Sequence, residues 1–270
     1  MNDPRSYLFV PADRPERFGK ALASGADEVV IDLEDAVNPQ DKVAARAGLK
    51  AWLEAAPGES KVCVRVNGTA TAWHAEDLAL AALPAVRSIM LPKAESAAMV
   101  LAVRQSMAAG RALVGLVESV SGVLALREIA QSGAVARLAF GSVDFCIDAG
   151  MQDEESALDA VRIAFTLESR LAGLAAPVDG VSVSLDDAGQ ISADTRRARA
   201  LGFSAKLCIH PKQVAPVNAG FLPTEKERDW AARVVNAIEA GGRGAIAVDG
   251  KLIDKPLILL ARRLLSQPVA

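Results

Sequence analysis

Eight short runs rich in valine, isoleucine and leucine recur between residues 6 and 209, separated by longer stretches with helical periodicity. They are SYLFV at 6 to 10, EVVIDL at 28 to 33, KVCVRV at 61 to 66, SIMLP at 88 to 92, ALVGLVE at 112 to 118, RLAFG at 137 to 141, VDGVSV at 178 to 183 and AKLCI at 205 to 209. Near-continuous apolar runs belong to strands buried on both faces, as parallel strands are when helices cover the sheet. Parallel neighbours also need a long crossover, and the intervening segments are long enough for helices. Eight such alternations predict a closed (β/α)₈ barrel in place of an open doubly wound sheet. No glycine-rich dinucleotide fingerprint follows the first run, which removes the commonest reason to choose the open sheet.

The segments between runs read as helices. Ala45, Leu49, Trp52, Leu53 and Ala56 form one apolar stripe, as do Met99, Val100, Val103 and Met107, and Val123, Leu124, Leu126 and Ile129. The barrel core is assigned to residues 1–222, and residues 223–270 to C-terminal helices and an extension. Thr224 and Glu227 predict a capping box for a helix carrying Trp230, Val234 and Ile238, which closes the barrel. The remaining piece, GRGAIAVDGKLIDKPLILLARRLLSQ, reads as a strand or turn at DGK and then an amphipathic helix apolar enough to pack on another subunit.

Composition narrows the partners. The chain is 51% hydrophobic and 23% charged with a net charge of -3, which suits a compact core and gives no broad attraction to nucleic acid or an anionic membrane. Cys63, Cys146 and Cys208 are widely separated and lack zinc or disulfide spacing, so a reducing cytoplasm is expected. No stretch of 18 uncharged apolar residues predicts a membrane span.

In a barrel the chemistry sits where strands give way to loops. The second run closes on Asp32, Glu34 and Asp35, the third on Arg65 and Asn67, the fourth on Lys93 and the fifth on Glu118, and the sixth leads to Asp144. A carboxylate ending a buried strand is costly unless it meets a cation or a donor. Glu118 and Asp144 therefore read either as Mg²⁺ ligands or as acids capping the helices that follow. Arg65 lies between two valines, so its guanidinium either faces a substrate oxyanion or pairs with Asp32 or Glu34. Arg14, Arg17 and Lys20 in the first loop read as a phosphate site or a solvated face. Lys206, His210 and Lys212 form a second basic group, with His210 in a structural or ligand-packing role and Cys208 an inert core residue.

Taken in order, LFVPADRPERFGKA, VVIDLEDAV, VRVNG, IMLPKAES, VESVSG, FGSVDF, CIHPKQ and DGKLIDKP resemble the HpcH/HpaI aldolase and citrate lyase beta-chain family, over about residues 5 to 265. The closest group is that of stand-alone citrate lyase beta-like, citramalyl-CoA and malyl-CoA lyases. The resemblance implies a (β/α)₈ barrel with a C-terminal extension, in trimers or hexamers where a neighbour's tail covers the site. It implies that Glu118 and Asp144 bind Mg²⁺, and that Arg65 binds substrate and steadies an enolate. Glu34 and Asp35 stand with it as catalytic candidates. Phe9, Arg14 and Lys20 match positions lining the acyl-CoA site, and Ile209, His210 and Pro211 match the loop near the nucleotide. Asp254 matches the acid or base donated by an adjacent subunit, although spacing alone does not separate it from Asp249.

The activity so implied is a reversible Claisen-type cleavage of a 3-hydroxyacyl-CoA to acetyl-CoA and a 2-oxo acid. Three alternatives stand beside it: a citrate lyase beta subunit acting on an acyl-carrier-protein thioester, a CoA-independent pyruvate aldolase of the same superfamily, and a thioester sensor without turnover.

Overall fold

Strand pairing fixes the architecture. In the computed structural model, which describes residues 3–55, 61–154, 156–240 and 246–268, eight parallel strands close into a barrel in the order β1 to β8. They are β1 Ser6–Pro11, β2 Glu28–Asp32, β3 Val62–Arg65, β4 Val86–Leu91, β5 Ala112–Val117, β6 Arg137–Phe140, β7 Val178–Asp179 and β8 Ala205–Cys208. All eight predicted runs are strands. The ring shuts where Ser6, Tyr7 and Leu8 pair with Lys206, Leu207 and Cys208. Closure is thus a strand ladder and not the work of the helix after residue 224.

β7 is the shortest strand, two residues where six were predicted. The physical reason lies in Gln213, whose side-chain amide donates to the carbonyls of Ser182 at 2.9 Å and Ser184 at 2.7 Å. A side chain takes the place of a ladder partner there.

Crossover helices follow the strands: α1 Phe18–Leu22, α2 Lys42–Ala55, α3 His74–Leu78, α4 Ala97–Ser106, α5 Val120–Leu124, α6 Leu126–Gln131, α7 Ser142–Ala149, α8 Asp159–Leu171, α9 Ala188–Ala200 and α10 Val214–Gly220. On α2 the predicted stripe buries Ala45, Leu49 and Leu53, while Ala56 lies outside the described residues. Leu124 departs from expectation, being 83% exposed. The helix breaks at Ala125, the shared boundary of α5 and α6, so Leu126 and Ile129 start a new phase and Leu124 is turned out of the stripe. None of the helices of the described residues is long and apolar enough to cross a membrane.

The barrel interior is filled by Tyr7, Val30, Cys63, Met90, Val114, Leu116, Ala139, Val178, Ala205 and Leu207, with Phe9 and Val181 packed against them. Side chains alternate along a strand, so the inward phase passes through every second residue. Carried one step toward the strand ends, it runs from Val30 to Asp32, from Cys63 to Arg65, and from Leu116 to Glu118. The polar mouth is therefore the last layer of the core.

The chain divides into two compact units, Met1–Asn218 and Ala219–Ala270. Within the second, α11 Glu225–Glu239 begins with the predicted capping box, Thr224 and Glu227 bonding reciprocally. Strands β9 Ile246–Val248 and β10 Lys251–Ile253 form an antiparallel hairpin, and α12 Lys255–Ser266 follows. Ala231, Val234, Val248, Ile253, Ala261 and Leu264 make its core.

Candidate active site

β2 and β3 are in register with Asp32 opposite Arg65. The two side chains close a bidentate pair: Arg65 Nε donates to Asp32 Oδ1 at 2.7 Å and Nη2 to Oδ2 at 2.6 Å. Nη1 lies 3.2 Å from Glu34 Oε2. Burial works against the charge on Arg65, but Asp32 and then Glu34 more than offset it, and the guanidinium is held firmly protonated. The ring of Phe9 lies 4.8 Å from the guanidinium carbon, a cation-π seat that fixes its plane. Of the two readings of Arg65, the ion pair exists, and it leaves one edge of the guanidinium toward Glu34.

Asp32 also accepts the amides of Glu34 and Ala36, at 2.9 and 3.0 Å, which folds the chain sharply at the end of β2 and tucks Glu34 inward. Glu34 is buried, and burial raises its carboxyl against the lowering effect of Arg65. Its Oε1 accepts from Lys93 Nζ at 3.1 Å, whereas Oε2 has no hydrogen bond. Asp35 is exposed. Its charge adds to the upward pressure on Glu34.

Glu118 is the most perturbed acid of the mouth. It is 4% exposed, and its carboxyl is pushed up to about 8, first by burial and then by Glu34. Arg65 pulls the other way, and Asp144 adds to the repulsion. Oε1 accepts the Lys93 amide at 2.9 Å. Across the carboxylate lies the backbone of Gly141, where a Cβ would stand 2.5 Å from Glu118 Cβ and 2.7 Å from Oε2. A residue without a side chain is required at that approach.

Neither acid makes a side-chain cap hydrogen bond, although Asp144 lies in the first turn of α7, where its charge suits the helix N-terminus. Ser119, and not Glu118, caps α5, its hydroxyl accepting from the amide of Gly122 at 3.2 Å. Asp144 sits in the first turn of α7, exposed and without a cap bond. Among the described residues no donor reaches its carboxylate.

Among the described residues no three His, Cys, Asp or Glu side chains converge as a metal cage. What remains is a pair of acids in one electrostatic field with oxygens to spare. That donor set fits Mg²⁺, which takes one or two carboxylates and completes its shell with water and ligand oxygens.

The second basic group is arranged otherwise than expected. Lys206 lies in the outward phase of β8, and its Nζ donates to Asp179 at 3.1 Å and to the Gly180 carbonyl at 2.7 Å. Arg162 of α8 binds the same Asp179 at 2.8 Å. Burial raises the Asp179 carboxyl, but Lys206 and Arg162 outweigh this and hold it below its usual range. Lys206 is thus a buried structural cation and leaves the candidate phosphate group, because period-two alternation turns it to the opposite side of the sheet from Ala205 and Leu207. His210 caps the short turn Pro211–Gln213, its Nδ1 accepting the Lys212 amide at 3.2 Å, and Lys212 pairs with Asp186 at 3.3 Å. Ile209 is half-exposed, and its amide is held by Gln213 at 2.8 Å.

In the first loop, Arg14 and Arg17 are exposed, and among the described residues their side chains pair with their neighbours Asp13 and Glu16, each at 3.8 Å. Lys20 falls in the last turn of the five-residue α1, not at a helix start. Arg14 precedes the short turn Pro15–Arg17 and Arg17 precedes α1, so both stand at the expected helix start as exposed cations. Cys208 is fully buried, with its thiol pushed up to about 12 by that burial.

In the second unit Asp249 is engaged by Arg233, at 3.1 and 2.8 Å. Asp254 stands before α12 without a side-chain cap bond, exposed, and unpaired among the described residues. The distinction that spacing could not make is made by partners: of the two acids, Asp254 is the one with an unengaged carboxylate.

The sequence places Asp32 and Lys93 at strand ends of the mouth, with Asp32 a candidate partner of Arg65, but gives neither a catalytic or binding role. For Asp32 the signal was present, since aligning VVID with VCVR puts acid against arginine. For Lys93 the strand end was marked but its two contacts were not, because they depend on a backbone conformation that no residue pattern announces.

The profile of the family described as HpcH/HpaI aldolase/citrate lyase matches residues 5–211. A citrate lyase subunit beta-like protein of Mycobacterium tuberculosis (strain ATCC 25618 / H37Rv) is 35% identical over 268 residues, covering 97% of this chain and 94% of that protein. A (3S)-malyl-CoA thioesterase of Cereibacter sphaeroides (strain ATCC 17029 / ATH 2.4.9) is 33% identical over 272 residues, covering 98% and 95%. The crystal structure of CitE from Mycobacterium tuberculosis in complex with magnesium, acetoacetate and coenzyme A matches with a TM-score of 0.84 at 34% identity, covering 97% of this chain and 96% of that one. With a profile matched over most of its length and relatives aligned from end to end, this chain belongs to the HpcH/HpaI aldolase/citrate lyase family.

Proposed function

We propose that the protein is a Mg²⁺-dependent carbon-carbon lyase that cleaves a 3-hydroxyacyl-CoA of the citramalyl, malyl or citryl type to acetyl-CoA and a 2-oxo acid. The observation that carries this reading is the Glu118 carboxylate. It is buried beside Arg65 in the field of Asp144, in a fold whose 34% identical neighbour holds magnesium, acetoacetate and coenzyme A.

Glu118 and Asp144 would hold the ion, which when bound supplies Lewis acidity and a template for the hydroxyl and carboxylate oxygens of the acyl part. Arg65, pinned by Asp32 and seated on Phe9, offers its Nη1 edge, beside Glu34, to the oxygen that gains charge as the carbon-carbon bond breaks. Glu34 and Asp35 shape the negative side of the mouth. Asp254, offered by a neighbouring subunit of a trimer or hexamer, protonates the two-carbon fragment, or deprotonates it in the condensing direction. Phe9, Arg14, Lys20, Ile209, His210 and Pro211 line the path of the thioester, with Arg14 and Lys20 meeting phosphate as exposed cations. The expected setting is the cytoplasm, where coenzyme A thioesters are made and used.

A second reading is hydrolysis of the thioester after or instead of cleavage, favoured by the relative named as a (3S)-malyl-CoA thioesterase. The carrier-protein and CoA-independent aldolase readings use the same mouth, and the exposed Arg14 and Lys20 speak for a phosphate-bearing substrate.

The deciding experiment incubates the protein with Mg²⁺, acetyl-CoA and, separately, glyoxylate, pyruvate or oxaloacetate, and identifies the products by mass. A 3-hydroxyacyl-CoA supports the lyase, whereas free CoA with a hydroxy acid supports the thioesterase. Absence of any condensed product with all three acids, and of cleavage of the matching thioesters, rejects the proposal.

A further inference from the structure

Two non-glycine residues adopt positive φ among the described residues, Lys93 at 50° and Asp249 at 51°. Asp249 has an ordinary reason, because it precedes Gly250 in the turn of the β9-β10 hairpin, where aspartate tolerates the left-handed region. Lys93 has none. It follows Pro92 at the end of β4, and a long unbranched side chain gains nothing locally from this conformation. Strain retained by a residue at a polar mouth points to a use for it.

The use is visible in its two contacts. The Lys93 amide donates to Glu118 Oε1 at 2.9 Å, and its ammonium donates to Glu34 Oε1 at 3.1 Å. A glycine would adopt the same φ without strain and would present the same amide to Glu118. The amide contact alone therefore does not account for a lysine. What a lysine adds is the ammonium, which reaches Glu34 while its own side chain stays 56% exposed.

We propose that Lys93 is a positioning residue that joins Glu118 and Glu34 through one strained backbone, its amide orienting the metal-binding acid and its ammonium anchoring Glu34 Oε1. Resting on the reading of Glu118 as a metal ligand, this divides two jobs between two parts of one residue. The amide serves ion binding. The ammonium anchors Oε1 of the inward-turned Glu34, so that the charge facing Arg65 and the substrate is set by geometry.

The test compares Lys93→Gly, Lys93→Met and Lys93→Arg in the full-length protein, with Mg²⁺ affinity by calorimetry and steady-state kinetics on the thioester cleaved by the wild type. Gly and Met are expected to keep Mg²⁺ affinity within about threefold, since the amide survives in both. Both are expected to lose at least about tenfold in kcat with KM within about threefold, and Arg to recover most of that loss. A kcat within twofold of wild type in Gly and Met overturns the role of the ammonium. A tenfold loss of Mg²⁺ affinity in folded Lys93→Gly, with folding checked by circular dichroism, overturns the role of the amide. If the wild type binds Mg²⁺ but turns over no thioester, the lyase reading fails while the affinity comparison still decides the amide's part, and the missing turnover removes the ammonium's. A wild type that binds no Mg²⁺ removes both.

Discussion

Asp32 grips Arg65 across the β2-β3 ladder through two charge-assisted hydrogen bonds of 2.7 and 2.6 Å, and the same carboxylate gathers the amides of Glu34 and Ala36. One acid therefore sets both the plane of the guanidinium and the turn that brings Glu34 inward. Removing it as Asp32→Ala leaves a buried charge without its partner, a change that costs about 3–5 kcal/mol in buried pairs. The expected result is a lower urea midpoint together with a loss of at least about a hundredfold in kcat. Arg65→Lys keeps the charge but not the fork, so it should fold well and still lose most turnover. Stability near wild type in Asp32→Ala contradicts this account.

The raised Glu118 carboxyl gives a pH dependence with a definite sign. Its folded value of about 8 lies above that of an ordinary glutamate, so the metal-free protein is stabilised at low pH and loses that contribution as pH rises toward 8. Mg²⁺ binds the ionised form and must displace the proton below that pH. Its affinity is expected to rise from pH 6 to about 8 and then level off, with proton release in calorimetry across buffers of different ionisation enthalpy. An affinity flat over that range separates Glu118 from the metal.

Gly141→Ala tests the close packing behind that carboxylate. The added methyl would collide with Glu118 Cβ and Oε2, forcing the acid out of line with Asp144. Mg²⁺ affinity should fall by at least about tenfold while circular dichroism shows the barrel retained, and unchanged affinity would show that the acid has room to move.

Asp254 and Asp249 make a matched pair of controls. Asp254→Asn is expected to lower kcat far more than it changes KM, whereas Asp249→Asn, which only loosens the ion pair with Arg233, should stay within about threefold of wild type in both. Equal effects of the two changes would withdraw the proton-transfer role from Asp254.

The barrel was legible because its strands are buried on both faces, which writes each one as an apolar run, and the inward polar residues were legible because they close those runs. Glu118 and Arg65 stand out for this reason. Harder to read was anything decided by phase or by backbone angle. Lys206 looks basic and close to the last loop, yet alternation turns it outward onto Asp179. Leu124 looks like part of a stripe, yet a break one residue later rotates it into solvent. VDGVSV looks like six residues of strand, yet a glutamine from a later turn occupies carbonyls that a longer ladder would have used. The left-handed turn at Lys93 leaves no mark on composition or spacing at all.

The seam between the first and last strands has a consequence for how this protein is made. Ser6, Tyr7 and Leu8 emerge early from the ribosome, but their partners on one side are Lys206, Leu207 and Cys208, translated long afterwards. Until those arrive, β1 is an apolar edge with unsatisfied amides and carbonyls, the kind of surface that recruits stray strands. Nascent chains stalled before β8 should therefore be clients for chaperones, and release of that dependence should coincide with translation through Cys208.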